Sequence, residues 1–315
     1  MRILLILIYL VVTLISCQRN EVNQKLIATD LSDEKAEYQQ QIVSHLSGES
    51  SLSNNTIINS RWSEEERNLA AKYLRELLQQ LNIEPQKQNY FSPNLNPAID
   101  LLIGPYRGTN VYGVLPATKQ SDEYIILGSH YDTGKRNAPG AIDNATGIAL
   151  IYSVVKEAAE MKSRDKNIVI VFFDQEEEEL IGSKAFLNLI KDKGWNVHSV
   201  HCFDMVGWDE DKDKAIEIFS PTESLRSIYK ETALVHDIPI NEIVIDPIGY
   251  DRSSTDFDAF VPSGYNVIGA GELFYHRDST PYKDTPDDTF MTVDFNYLLS
   301  TSDLIADIIK KLVTR

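Results

Sequence analysis

Apolar positions along this 315-residue chain follow two rhythms. Over 62–81, Leu69, Tyr73, Leu74, Leu77, Leu78 and Leu81 recur at three- and four-residue spacing, which predicts one amphipathic helix. Ser63, followed three residues later by Glu66, supplies a capping box at its start. Shorter apolar runs over 124–127, 168–173, 200–205, 216–219, 243–245 and 266–270 read as strands, and 145–160, 182–191 and 295–312 as helices. The run 168–173 has no polar position and is too short for a helix, so it predicts a central strand covered on both faces. Strands alternating with helices predict a three-layer α/β/α sandwich around a mixed, largely parallel sheet. No internal repeat and no second linker interrupt the pattern, so one domain over 46–315 is expected.

The first residues follow a different pattern. Arg2 precedes an apolar run over 3–12, too short to span a bilayer stably and suited to the core of an export signal. Leu14-Ile15-Ser16-Cys17 resembles a bacterial lipobox, in which the signal (1–17) is cut before Cys17 and that cysteine is lipidated. A plain secretory signal or a short uncleaved anchor are the other readings of the same run. Residues 18–45 are polar and read as a tether. An exported, membrane-anchored lipoprotein of a bacterial envelope is therefore expected. With Cys17 lipidated, Cys202 has no partner for a disulfide, and its strand-like surroundings predict a packed, inert thiol.

Charge narrows the partners. Lys and Arg number 30 against 47 Asp and Glu, a formal net charge of -17, which disfavours nucleic acid and anionic membrane surfaces. Membrane contact is then left to the N-terminal lipid. Part of the acidity is available to hold cations.

In an open α/β sheet, ligands gather beyond the carboxyl ends of the strands. The run 124–127 leads to His130-Tyr131-Asp132, and a glycine-containing loop then reaches Asp143 at a helix start. The run 168–173 leads to Asp174-Gln175-Glu176-Glu177-Glu178-Glu179, and the run from 200 ends in Asp204. Each piece alone has a plain reading: a structural histidine, a helix N-cap at Asp143, a solvated run of glutamates. Their ordered placement at successive strand ends points instead to a metal site, since zinc accepts imidazole nitrogen and carboxylate oxygen.

These segments carry a resemblance. His130-Tyr131-Asp132, Pro139-Gly140-Ala141-Ile142-Asp143-Asn144-Ala145-Thr146-Gly147, Phe172-Phe173-Asp174-Gln175-Glu176-Glu177 with Gly182-Ser183, and Phe203-Asp204-Met205 are similar to the motifs of the twenty-eighth metallopeptidase family. That family comprises co-catalytic dizinc aminopeptidases whose relatives include glutaminyl cyclases and transferrin-receptor-like proteins. The similarity runs in order over roughly 60–310. It implies two zinc ions bridged by Asp143, one completed by His130 and Asp204 and the other bound by Glu177. Glu176 would be the general base, and Asp132 would orient His130. The distance to Gly182 selects Glu176 and Glu177 from the glutamate run. The implied substrates are peptides with a free N-terminus, whose ammonium an acidic pocket can pair.

The chain departs from the family in two places. Pro281-Tyr282-Lys283-Asp284-Thr285-Pro286-Asp287-Asp288-Thr289 carries Asp284 where the family has its last histidine ligand. Either Asp284 ligates, or His276, eight residues upstream, takes its place, or that metal is weakly held or absent. In Ser254-Thr255-Asp256-Phe257-Asp258-Ala259-Phe260, Phe257 replaces a family histidine, and nearby Tyr250 is a candidate oxyanion stabiliser. Two other functions stay open at this point: a glutaminyl cyclase with one zinc, and a non-catalytic binding protein on the peptidase scaffold.

Overall fold

A computed structural model describes residues 34–52, 55–93, 100–101, 104–248 and 254–314. Cys17, the 1–17 segment and Tyr250 lie outside the described residues. Eight strands form one sheet: β1 (Gln86–Ser92), β2 (Tyr106–Leu115), β3 (Glu123–His130), β4 (Asn167–Phe173), β5 (Asn196–Asp204), β6 (Ile216–Ser220), β7 (Ile240–Val244) and β8 (Val267–Gly271). Their spatial order is β1-β2-β4-β3-β5-β8-β6-β7. The four central strands β4, β3, β5 and β8 are mutually parallel. β2 and β6 flank them antiparallel, so the sheet is mixed as expected.

Helices cover both faces. They are α1 (34–46), α2 (Glu64–Gln80), α3 (Thr146–Ala159), α4 (Ile181–Lys193), α5 (Glu223–His236) and α6 (Phe295–Val313). β4 is buried along its whole length, and its side chains alternate between faces. Ile168, Ile170 and Phe172 join the core under α1, α2, α3 and α6, whereas Val169, Val171 and Phe173 join the core with Phe186 and Ile190 of α4. The capping box of α2 is made: Glu66 N donates to Ser63 Oγ at 3.3 Å and Ser63 N to Glu66 Oε2 at 3.0 Å. Cys202 is a buried free thiol on β5.

One expectation is corrected. The tether does not extend to residue 45, because 34–46 is a helix whose Ile42, Val43 and Leu46 enter the main core. Gln39, fully buried, donates to Ser153 Oγ of α3 and Ser302 Oγ of α6, both at 2.8 Å. Polar composition hid this helix, since its polar residues are satisfied by partners distant in sequence. The strands β1 and β2 and helix α5 also escaped the pattern. β1 is an edge strand with one fully buried residue, Tyr90, and so carries little alternation.

Candidate metal centre

Three adjacent parallel strands deliver the site to one edge of the sheet. His130 is the last residue of β3, Asp204 the last of β5, and Glu176 and Glu177 follow the end of β4. Asp143 arrives from the loop before α3, after Gly140 turns the chain with φ +66°, a left-handed conformation that favours glycine. His130, Asp143 and Asp204 each offer a ligand atom, all within 4.8 Å of one another, and all three are buried. His130 Nε2 lies 3.1 Å from Asp143 Oδ1 and 3.3 Å from Asp204 Oδ1.

Glu177 and Asp284 lie side by side against Gly134. A Cβ on Gly134 would overlap Asp284 Oδ1 and stand 2.8 Å from Glu177 Oε2, so both carboxylates crowd the same point. The Lys283 ammonium stands 3.5 Å from Asp143 Oδ2, a cation already drawn toward the cup. Glu177 Oε1 and Asp284 Oδ1 are buried without a hydrogen-bond donor, and the Asp143 oxygens face His130 Nε2 and the Lys283 ammonium. His276 is elsewhere engaged, its Nδ1 paired with Glu217; among the described residues the ligand-distance cluster is His130, Asp143 and Asp204, and it includes neither His276 nor Glu177 nor Asp284.

The cup is held by residues around it. Asp132 accepts hydrogen bonds from Glu176 N at 3.0 Å and Glu177 N at 3.2 Å, and lies 3.4 Å from His130 Nδ1. Asn144 ties the Asp143 loop to the end of β5: its Nδ2 donates to Phe203 O at 3.0 Å, and its Oδ1 accepts from Met205 N at 3.2 Å. Two supports carry no signal in the sequence. Asp288 accepts from Ile142 N at 2.8 Å and Asp143 N at 3.0 Å, fixing the bridging loop from below. Arg61, fully buried, donates to the carbonyls of Leu46, Pro139 and Gly140, binding α1 to the same loop. Asp288 sits in a matched motif, but nothing in its neighbours announces two backbone donors 146 and 145 residues away.

Electrostatics follow from crowding buried carboxylates. Burial pushes Glu176 well above its ordinary range, and Asp204, Asp256 and Glu177 add to the push against His130. Burial and then Asp143 raise Glu177 to about 8. Burial would also raise Asp143, but Lys283 and His130 outweigh it and hold the carboxyl low. His130 is raised well above its usual value although burial opposes this, because Glu176, Asp132, Asp143 and Asp204 surround it. Such a cluster lacks positive charge, and a divalent cation would supply it.

A buried histidine–carboxylate cup at the carboxyl ends of parallel strands in an α/β/α sandwich defines the class of metal-dependent hydrolases with open-sheet active sites. The sequence profile of Peptidase family M28 matches residues 110–309, and the chain belongs to that family. A probable zinc metalloprotease of Pyrenophora tritici-repentis is 29% identical over 119 residues, covering 36% of this chain and 27% of the relative. The chain thus spans about a quarter of the length of that relative. The zinc aminopeptidase BSAP of Bacillus subtilis has the same fold, with a TM-score of 0.73 at 13% identity, covering 88% of this chain and 95% of that one. Porphyromonas gingivalis glutaminyl cyclase superposes with a TM-score of 0.66 at 14% identity over 90% of this chain and 98% of that one.

Proposed function

We propose that the chain is a zinc aminopeptidase that removes single residues from peptide N-termini. The observation that carries this reading is the buried trio His130, Asp143 and Asp204 within ligand distance of one another, with donor-less carboxylate oxygens on the neighbouring Glu177 and on Asp284 beside it. Buried oxygens without donors are rare in folded proteins, and here they fit a metal. His130, Asp204 and Asp143 Oδ1 offer a nitrogen and two oxygens, a set suited to zinc. Asp143's other oxygen, with Glu177 and Asp284, offers a second set made only of carboxylates, which suits zinc and also harder ions.

Divalent ions held there would lower the pKa of a water and polarise the scissile carbonyl. The chain's own residues do the rest. Glu176, buried beside the cup, takes the proton of the attacking water and returns it to the leaving amine. Asp132 keeps Glu176 in place through its backbone amide and faces the far nitrogen of His130. The surplus of carboxylates pairs with the free ammonium of the substrate, which limits cleavage to the first residue. The lipobox-like Leu14-Ile15-Ser16-Cys17 supports an envelope lipoprotein, testable by mass spectrometry for a diacylated Cys17.

The test is a peptide ladder. Zinc-loaded protein should shorten an unblocked peptide one residue at a time and leave its N-acetylated form intact. A glutamine-leading peptide should lose that residue. Loss of ammonia alone would replace this reading with a cyclase.

A further inference from the structure

The second cation position departs from the family. Asp284 stands where the family has its last histidine, so the side chains there, Asp143, Glu177 and Asp284, are all carboxylates. The residue just before, Lys283, brings a positive charge of its own. Its ammonium is 3.5 Å from Asp143 Oδ2, and the Asp143 side chain is 3% exposed. Oδ1 of the same carboxylate meets His130 Nε2 at 3.1 Å. Asp143 thus faces the histidine–aspartate trio with one oxygen and the lysine with the other.

The lysine is placed there by the same frame that holds Asp143. A turn over 282–285 carries it, with Tyr282 O accepting from Thr285 N at 3.0 Å and from Thr285 Oγ1 at 2.7 Å. The Tyr282 ring packs edge-on against Trp208, with centroids 5.5 Å apart. Asp284 sits in the turn at φ +60°, a left-handed conformation that aspartate tolerates better than most residues. Asp288 N donates to Thr285 O at 3.3 Å, while the Asp288 carboxylate accepts from Ile142 N and Asp143 N. Asp288 therefore joins the turn that bears Lys283 to the loop that bears Asp143. The Lys283 side chain keeps 40% of its surface exposed, so its ammonium can swing out while the turn stays in place.

An ammonium and a divalent ion repel each other and compete for Asp143 Oδ2. The ammonium does not satisfy the whole position, because Glu177 Oε1 and Asp284 Oδ1 have no donor. Ligands for an ion remain there once the lysine moves away. We propose that Lys283 is a built-in rival of the second metal ion: the protein holds one divalent ion tightly, on His130, Asp143 and Asp204, and admits another beside Glu177 and Asp284 only by displacing the lysine from Asp143 Oδ2. The proposal rests on the metal-centre reading and makes its two positions unequal.

The experiment is a zinc titration of metal-stripped, full-length protein by calorimetry, with elemental analysis after dialysis. Wild type should keep one zinc per chain and take a second with an affinity about 100-fold lower or less. Lys283→Met, which removes the charge and keeps the length, should strengthen the second site by about tenfold or more and the first by less. Lys283→Arg, which keeps the charge, should titrate like wild type. Two ions of equal affinity in wild type, or a second site unmoved in Lys283→Met, would overturn the proposal. An equal gain in Lys283→Arg would overturn it too, by tracing the effect to shape rather than charge. The wild-type titration decides alone if a variant fails to fold. Wild type that binds no zinc overturns the metal-centre reading as well.

Discussion

Removing the carboxylate of Asp132 should damage the fold and the metal cup together, and by separable amounts. Asp132 is 3% exposed, so water cannot replace what it does. Its two oxygens accept from Glu176 N and Glu177 N, and Oδ1 also faces His130 Nδ1. Asp132→Ala leaves one buried and one part-buried amide without acceptors, at about 1–3 kcal/mol each, so the metal-free protein should lose about 2–6 kcal/mol of stability. The freed imidazole and glutamate backbone should cost a further 10–100-fold, roughly, in zinc affinity. Asp132→Asn should fall between, because the carboxamide oxygen can serve one amide while its NH2 meets the other. Urea unfolding of metal-stripped protein, followed by tryptophan fluorescence, reads the first quantity. Competition with a chelator reads the second. An alanine variant within about 0.5 kcal/mol of wild type, as for an ordinary surface change, and with unchanged zinc affinity would refute the account.

Glu176→Gln should keep bound zinc and lower kcat by roughly 10³ or more, and near-normal turnover would remove its role as base. Zinc binding should release protons near neutral pH, since Glu177 is raised to about 8 and His130 well above its usual value in the metal-free cup. Affinity should therefore fall as pH drops below about 8. Calorimetry in two buffers of different ionisation enthalpy counts those protons, and a count of zero would contradict the charge balance described. His201 should make the fold acid-sensitive. Burial pushes its imidazole down to about 3, and it sits neutral between Tyr229 OH and Ser199 Oγ, each at 2.9 Å. Below about pH 6.5 the unfolded chain binds a proton that the fold excludes, so stability falls by up to about 1.4 kcal/mol per pH unit until about pH 3. His201→Gln should flatten that slope in acid titrations of unfolding, and an unchanged slope would assign the sensitivity elsewhere.

Legibility from the sequence followed how local each signal is. Ile168 to Phe173 announced a doubly covered strand because every residue is apolar, and β4 is buried throughout. The capping box at Ser63 is a three-residue affair and is made as read. His130, Asp143 and Asp204 were findable because they sit at the ends of recognisable runs, and the fold gathers them within ligand distance. Choosing Glu176 and Glu177 from four successive glutamates needed the family's spacing, since composition treats them alike. Asp284 and His276 stood as alternatives for the last ligand, with the flanking residues favouring Asp284. The folded chain separates them, pairing His276 with Glu217 and setting Asp284 beside Glu177. Helix α1 stayed hidden because its polar face is satisfied by Ser153 and Ser302, contacts 114 and 263 residues away.

The scatter of the cup along the chain has a consequence for how the protein matures. Its candidate ligands begin at His130 and end at Asp284, and the brace beneath Asp143 comes later still, at Asp288. A polypeptide emerging from the ribosome therefore owns no complete, braced cage until residue 288 has been made. Cation capture is then a late event that rewards only the finished topology, and whatever free energy the ion contributes is added to the folded form alone. Stripping the ion should accordingly lower the unfolding temperature of the domain as one unit, without leaving a stable metal-binding fragment behind.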